Sequence, residues 1–192
     1  MTVLPDTETP NSSILRFPDG SWLELRPLGV MDGGLLGALG NQLSRESEYR
    51  RFFSSGRSVY GKWVARLVGA DQIGFLVAGA VATNEFGSSL VAVAESVRYP
   101  DLPEWAEFAL IAADPWQNMG VGTLLARHLA ARAFAGGVRF WEAVMLAENR
   151  AMASVLESVG PRVDVRVEPG LVTAVHELFA PGDREELATR SE

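Results

Sequence analysis

The 192-residue chain is 47% hydrophobic with a net charge of -7 and a pI near 4.9, enough for one domain with a substantial core and ill suited to a phosphate backbone. It has no cysteine and only two well-separated histidines, His128 and His176, which removes disulfides, a cysteine nucleophile and thiolate metal sites and argues against a zinc centre. The first thirty residues lack the pattern of a signal peptide and no apolar run approaches ~18 to 20 residues, so a soluble, cytoplasmic protein with no nucleic-acid, membrane or metal partner is expected.

Residues 1–19 read as a polar, loose tail, 20–180 as the domain and 181–192 as a second polar tail. "SWLELRPL" (Ser21 to Leu28) alternates apolar and polar and predicts the first strand. "VMDGGLLGALGNQL" has helical spacing of Leu35, Leu36, Leu39 and Leu43, weakened by four glycines that each cost ~1 kcal/mol relative to alanine. "SRESEYRRFFSS" follows, with Ser44 as N-cap and acidic residues in the first turn, and "YGKWVARLVG" predicts a further short helix. "QIGFLVAGAVA" and "SSLVAVAESVRY" flank the turn residues "TNEFG" and predict an antiparallel pair. "AEFALIAAD" is apolar enough to predict a strand buried on both faces.

After "DPWQNMGVGT", Val121, Leu124, Leu125, Leu129, Ala133 and Phe134 fall on one helical face, closed by Gly136 and Gly137. "RFWEAVMLA" predicts a central strand, "ENRAMASVLESVG" a short helix, and "RVDVRVEPGLVTAVHELF" a hairpin turning at Pro169 and Gly170. Strands on either side of a strand, helix, strand, helix centre make an α/β (α+β) fold. His128 is expected at the surface, Trp116 in packing, and His176 has no partner visible in the sequence.

Gly120 and Gly122 stand where a strand becomes a helix. A dinucleotide fingerprint needs a third glycine where Leu125 stands, and a nucleotide P-loop needs a lysine after Gly122 that is missing. What remains is a helix start whose unpaired N–H groups and positive dipole end attract an anion such as a pyrophosphate. A tight strand-to-helix connection explains the glycines equally well.

The residues around this turn carry a resemblance. "QNMGVG" is similar to the Q/R-x-x-G-x-G/A signature of the GNAT superfamily of N-acetyltransferases, and "AENRAMASVLESVG" resembles that family's N-x-x-A-x-x-x-Y-x-x-x-G helix. "LSRESEYRRFFS", with Ser44, Glu46, Ser47, Arg51, Phe52 and Phe53, resembles a helix of the bacterial protein lysine acetyltransferases of the Pat type.

The resemblance implies the GNAT fold: a mixed, mostly antiparallel sheet of about six to seven strands flanked by helices, with a splayed parallel pair at strands four and five. It implies acetyl-CoA, or another short acyl-CoA, as cosubstrate. The pyrophosphate would lie on Gln117, Asn118, Met119, Gly120, Val121, Gly122 and Thr123, and the pantetheine arm along the main chain of Leu110, Ile111 and Ala112. Asn149 would touch the coenzyme or, as the sequence alone suggests equally, cap the helix after it.

The implied acceptor is a protein lysine, with a small amine as the alternative, and the enzyme is expected as monomer or homodimer. A lysine of pKa ~10.4 must lose a proton before it attacks, and the resemblance assigns the base to Glu107. In a partly apolar pocket its proton affinity would be raised. A solvent-facing strand-end glutamate is the plain alternative, and Glu142 on the next parallel strand stays open as a second carboxylate. Leu156 stands where many family members carry a thiolate-protonating tyrosine, which leaves room for a domain that binds acyl-CoA without turnover.

Overall fold

The computed structural model describes residues 3–4 (main chain only), 12–17, 20–54 and 56–180. Two strands occur in the stretch read as an N-terminal tail, β1 (Val3–Leu4) and β2 (Ser13–Arg16); the rest of residues 1–11 and all of 181–192 lie outside the described residues. The sheet continues through β3 (Trp22–Pro27), β4 (Phe75–Asn84), β5 (Gly87–Tyr99), β6 (Leu102–Ala112), β7 (Phe140–Leu146), β8 (Arg162–Glu168) and β9 (Leu171–Glu177). The helices are α1 (Gly33–Leu39), α2 (Arg45–Phe52), α3 (Arg57–Val68), α4 (Val121–Ala135) and α5 (Arg150–Glu157).

Nine described strands run in the order β1-β2-β3-β4-β5-β6-β7-β9-β8, and every neighbouring pair is antiparallel except β6 with β7. The parallel pair expected at positions four and five is therefore sixth and seventh. The sequence count fell short because β1 and β2 are too short to show an alternating pattern.

Each face of the sheet carries its own core. Leu36 and Leu39 of α1 and Trp63 and Leu67 of α3 pack on Val77, Val93 and Ile111. On the other face, Leu125, Leu129 and Ala133 of α4 and Leu156 of α5 pack on Ala94, Phe108 and Trp141, where the Phe108 and Trp141 rings stack with centroids 4.1 Å apart. Burial on two faces is why β4 and β5 read as continuous apolar runs.

The glycines of α1 break the helix expected over 30–43 into two 3-10 turns, Val30–Asp32 and Gly40–Gln42, around one α-helical piece. Leu36 and Leu39 nevertheless reach the core fully buried, so tertiary packing holds the segment where propensity does not. β6 departs from expectation differently. Ala106 and Phe108 are buried, but Glu107 is exposed and Ala109 and Leu110 are half-buried, and β6 and β7 pair only at 105–107 with 140–142. Beyond Glu107 the strands diverge, and one face of β6 opens onto a cleft.

Candidate active site

The glycine turn forms at the far end of the diverging strand. A 3-10 turn, Asp114–Trp116, leaves β6, Asn118 takes a left-handed φ of 60°, and Gly120 caps α4 at a φ of 80°. That left-handed conformation is costly for a residue with a Cβ. Leu124 is the first residue to close a helical bond, onto the Gly120 carbonyl at 3.0 Å, so the N–H groups of Val121, Gly122 and Thr123 have no intrahelical acceptor. They face the end of a cleft of about 400 Å³ lined by Leu110, Ile111, Ala112, Gly120, Gly122 and Thr123 on one side and α5 residues on the other.

The residues singled out in the sequence take three different places. Leu110, Ile111, Ala112, Gln117, Asn118, Gly120, Gly122, Thr123 and Asn149 line the cleft. Val121 turns its side chain into the core and Met119 is 64% exposed, so both offer main chain only. Asn149 does both things expected of it: its Oδ1 accepts the Met152 N–H at 3.1 Å as the cap of α5, and its remaining edge lines the cleft. Leu125 is fully buried, which is why it could not serve as the third glycine of a dinucleotide turn.

Gln117 is held inside the turn. Its amide donates to Ser47 Oγ at 2.8 Å and to the Ala112 carbonyl at 3.1 Å, while Ser47 Oγ donates to Asp114 at 2.7 Å and the Ser44 N–H to the same carboxylate at 3.2 Å. These hydroxyl and amide donors hold the Asp114 carboxyl below its usual range against the opposing effect of burial. The two serines of "SRES" thus clamp α2 onto the strand-to-helix junction while Ser44 also caps α2 through the Ser47 N–H.

The opposite end of α2 is anchored by charge. Glu95 of β5 is 2% exposed and accepts from Trp63 Nε1 at 3.0 Å, and it is ion-paired with Arg51 and Arg66. The Arg51 guanidinium lies over the rings of Phe52 (5.1 Å) and Trp63 (5.9 Å). Burial pushes Arg51 down to about 10, with Glu107 acting against that shift and Arg66 adding to it; Arg51 stays cationic at neutral pH.

Arg50, Arg51, Leu110, Asn149 and Met152 line both the large cleft and a smaller pocket of about 60 Å³ that Phe53, Glu107, Phe108, Ala109, Val144 and Met145 complete. The two spaces adjoin, so one path runs from the glycine turn along β6 to Glu107. Glu107 is exposed at the mouth of the smaller pocket rather than enclosed in it. Its carboxylate has no side-chain hydrogen bond or ion pair among the described residues and stands in the electrostatic reach of Arg51 and Tyr99. Glu142, its register partner on β7, is committed: Tyr99 donates to it at 3.0 Å and Arg166 is ion-paired with it. Burial first, and the bond to Glu142 next, push the Tyr99 phenol up to about 12, so it stays a donor.

A family model described as acetyltransferase (GNAT) family matches residues 42–160, a span holding α2, the cleft, the diverging strands and α5. The chain belongs to the GNAT family. It is 31% identical over 155 residues to acetyltransferase Pat of Mycolicibacterium smegmatis, covering 80% of this chain and 45% of that protein. The chain thus spans less than half the length of that relative. The GNAT domain of S. lividans PAT superposes with a TM-score of 0.73 at 27% identity, over 89% of this chain and all of that one. A cAMP-binding acyltransferase from Mycobacterium smegmatis matches at a TM-score of 0.57 and 26% identity, over 90% of this chain and 48% of its own.

Several residues at this GNAT site escaped the sequence reading. Glu95 carried a signal, as the single acid inside the buried run "LVAVAESV", but its cations lie on helices 44 and 29 residues away by number. Trp116 was expected in packing and does pack on both cores while lining the cleft. His128 is half-buried with Nδ1 3.5 Å from Ser13 Oγ rather than at the surface. His176 is 2% exposed, and its partner is the Gly160 carbonyl at 2.9 Å. Gly160 itself lies against β9, where an added Cβ would stand 1.7 Å from the Glu177 oxygen. Leu156, at the family's tyrosine position, is fully buried in the core and does not line the cleft. Among the described residues no helix is long and apolar enough to cross a membrane.

Proposed function

We propose that the protein acetylates the side chain of a protein lysine by direct transfer from acetyl-CoA in a ternary complex, with Glu107 as general base. The observation that carries this reading is the exposed Glu107 carboxylate, at the last paired position before β6 and β7 diverge and at one end of a continuous path whose other end is the α4 N-terminus. The residues present suit the coenzyme. First-turn N–H groups and a capping glycine with open space around it accept a pyrophosphate, and the unpaired face of β6 offers main-chain groups to a pantetheine arm.

In the reaction the acceptor ammonium gives a proton to Glu107, directly or through a water, the freed amine attacks the thioester carbonyl, and the nitrogen of the adduct sheds its second proton to water. A main-chain N–H of Leu110, Ile111 or Ala112 stabilises the oxyanion. The N–C bond forms, the C–S bond breaks, and the thiolate takes a proton from water, which a thiol of pKa ~8.5 tolerates. Between the two carboxylates, Glu107 is the base because Glu142 already accepts from Tyr99 and Arg166.

Free-thiol release from acetyl-CoA, measured against a panel of lysine-bearing proteins and small amines, tests the proposal. Acceptor-dependent release with proteins is expected. Release with small amines alone moves the assignment to a small-molecule acetyltransferase. Tight coenzyme binding with no release for any acceptor leaves a silent acyl-CoA-binding domain.

A further inference from the structure

Among the described residues the sheet ends on two unlike edges. β1 is two residues long, whereas β8 is seven, "RVDVRVE", and all seven are exposed. Val163, Val165 and Val167 are 49%, 44% and 73% exposed. A long edge strand carrying apolar side chains is a template for another strand unless charge or shape forbids it.

The main chain is available for pairing. The hairpin closes on Glu168 and Leu171, and the register runs one to one back to Asp164 and Val175, so even-numbered residues bond to β9 while Val165 and Val167 direct N–H and C=O outward. In agreement, the Val165 N–H is bonded to the Asp164 carboxylate at 2.8 Å.

The side chains select the partner. Antiparallel pairing of β8 with itself about Val165 sets Asp164 opposite Arg166, Val163 opposite Val167 and Arg162 opposite Glu168. Moving the axis to Asp164 sets Arg162 against Arg166, and moving it to Arg166 sets Asp164 against Glu168, which are like-charge pairs. Axes at Val163 or Val167 run the overlap into Pro161 or Pro169, which have no N–H to give. A two-fold interface must be self-complementary, and this strand is so in one full-length register.

We propose that β8 pairs antiparallel with β8 of a second copy of this chain about a two-fold axis through Val165, joining two sheets edge to edge. Each Val165 N–H then passes from its neighbour Asp164 to the Val165 carbonyl of the second copy. The released Asp164 meets Arg166 across the axis, the same guanidinium that is ion-paired with Glu142 beside the candidate base. A register shift between Arg162 and Asp164 bends the start of the strand, so the regular ladder is centred on 164–166 with the flanking valines closing it. A strand pair alone buries less than the ~1,200 Å² of stable interfaces, so the association is expected at roughly tens of micromolar.

Sedimentation velocity on the full chain across a concentration series tests this. A reversible monomer–dimer equilibrium is expected, weakened about tenfold or more in Asp164→Arg and in Arg166→Asp, because each change creates two like-charge pairs across the axis. The swap Asp164→Arg with Arg166→Asp restores opposite pairs and is expected to recover dimerisation to within about threefold. Val165→Pro removes an outward N–H, so the hairpin survives, as circular dichroism would report, and the dimer is lost. A monomer at every concentration overturns the proposal, as does a dimer indifferent to the single charge changes or not recovered by the swap. A monomer in which Val165→Pro lowers turnover with protein acceptors also overturns it, assigning the edge to an acceptor peptide instead.

Discussion

The two ends of the cleft are built from different materials. At the α4 end the working groups are main-chain N–H groups and two glycines, in a mostly uncharged lining drawn from 110–123 and 149–155. At the Glu107 end they are side chains from four strands and α2: Tyr99, Glu107, Glu142, Arg166, Arg51 and, behind them, Glu95. In the proposed reaction the first end holds the coenzyme, and it relies on groups that mutation cannot remove. In the same proposal the second end handles the acceptor amine, and its tuning lies in charges that single substitutions change.

Substitutions that separate the ends give the sharpest tests, and Glu107→Gln has the largest expected effect. Loss of a general base costs about 10² to 10⁴-fold in turnover, while acetyl-CoA affinity, set at the other end, is expected to stay within about threefold. Calorimetric titration of the coenzyme beside steady-state kinetics checks both halves. Glu142→Gln is expected to fall far less. A larger loss for Glu142→Gln than for Glu107→Gln reverses the assignment of the base.

Arg51→Met comes next, because it removes one cation from a buried carboxylate. Breaking a buried ion pair costs about 3 to 5 kcal/mol, and with Arg66 and Trp63 still on Glu95 about 3 kcal/mol is expected. Urea unfolding measures it. Adding Glu95→Gln, which removes the stranded charge, is expected to recover part of that loss, and a double variant no more stable than the single one contradicts the buried-charge explanation.

Gly120→Ala acts at the other end and is smaller. A non-glycine residue at a φ of 80° costs about 1 to 2 kcal/mol. Weaker acetyl-CoA binding by roughly tenfold is expected without change in the pH profile of turnover, whose groups lie at the Glu107 end.

How much could be read in advance follows the same division. Gln117, Gly120, Gly122 and Asn149 lie in two short stretches whose turn and cap chemistry is local, and local chemistry is written in neighbouring residues. The Glu95, Arg51 and Arg66 cluster depends on strand register and on which face α2 and α3 cover, and no spacing in the sequence encodes it. β6 misled for a related reason: its composition is that of a strand buried on both sides, and neither the exposure of Glu107 nor the divergence from β7 beyond it is written there. Ser47 and Gln117 belonged to separate motifs in the sequence, and the 2.8 Å bond between them shows that the two motifs form one clamp.

The smallest expected effect lies at the joint between the two ends. His176 on β9 bonds the Gly160 carbonyl at the exit of α5, tying the wall of the large cleft to the hairpin beside Glu142. Burial holds the imidazole below its ordinary value, opposed by the bond to Gly160. The folded state therefore favours the neutral ring, and the unfolded chain takes up the proton first. That contribution to stability is fully present above the unfolded value of ~6.5 and is lost as pH falls through the lower folded value. His176→Asn keeps an N–H for Gly160 and removes the titration. Melting curves from pH 7.5 to 5 are expected to drop further for the parent than for the variant, by about 2–4 °C for each ~1 kcal/mol of linked stability. Parallel curves would show that the joint does not titrate.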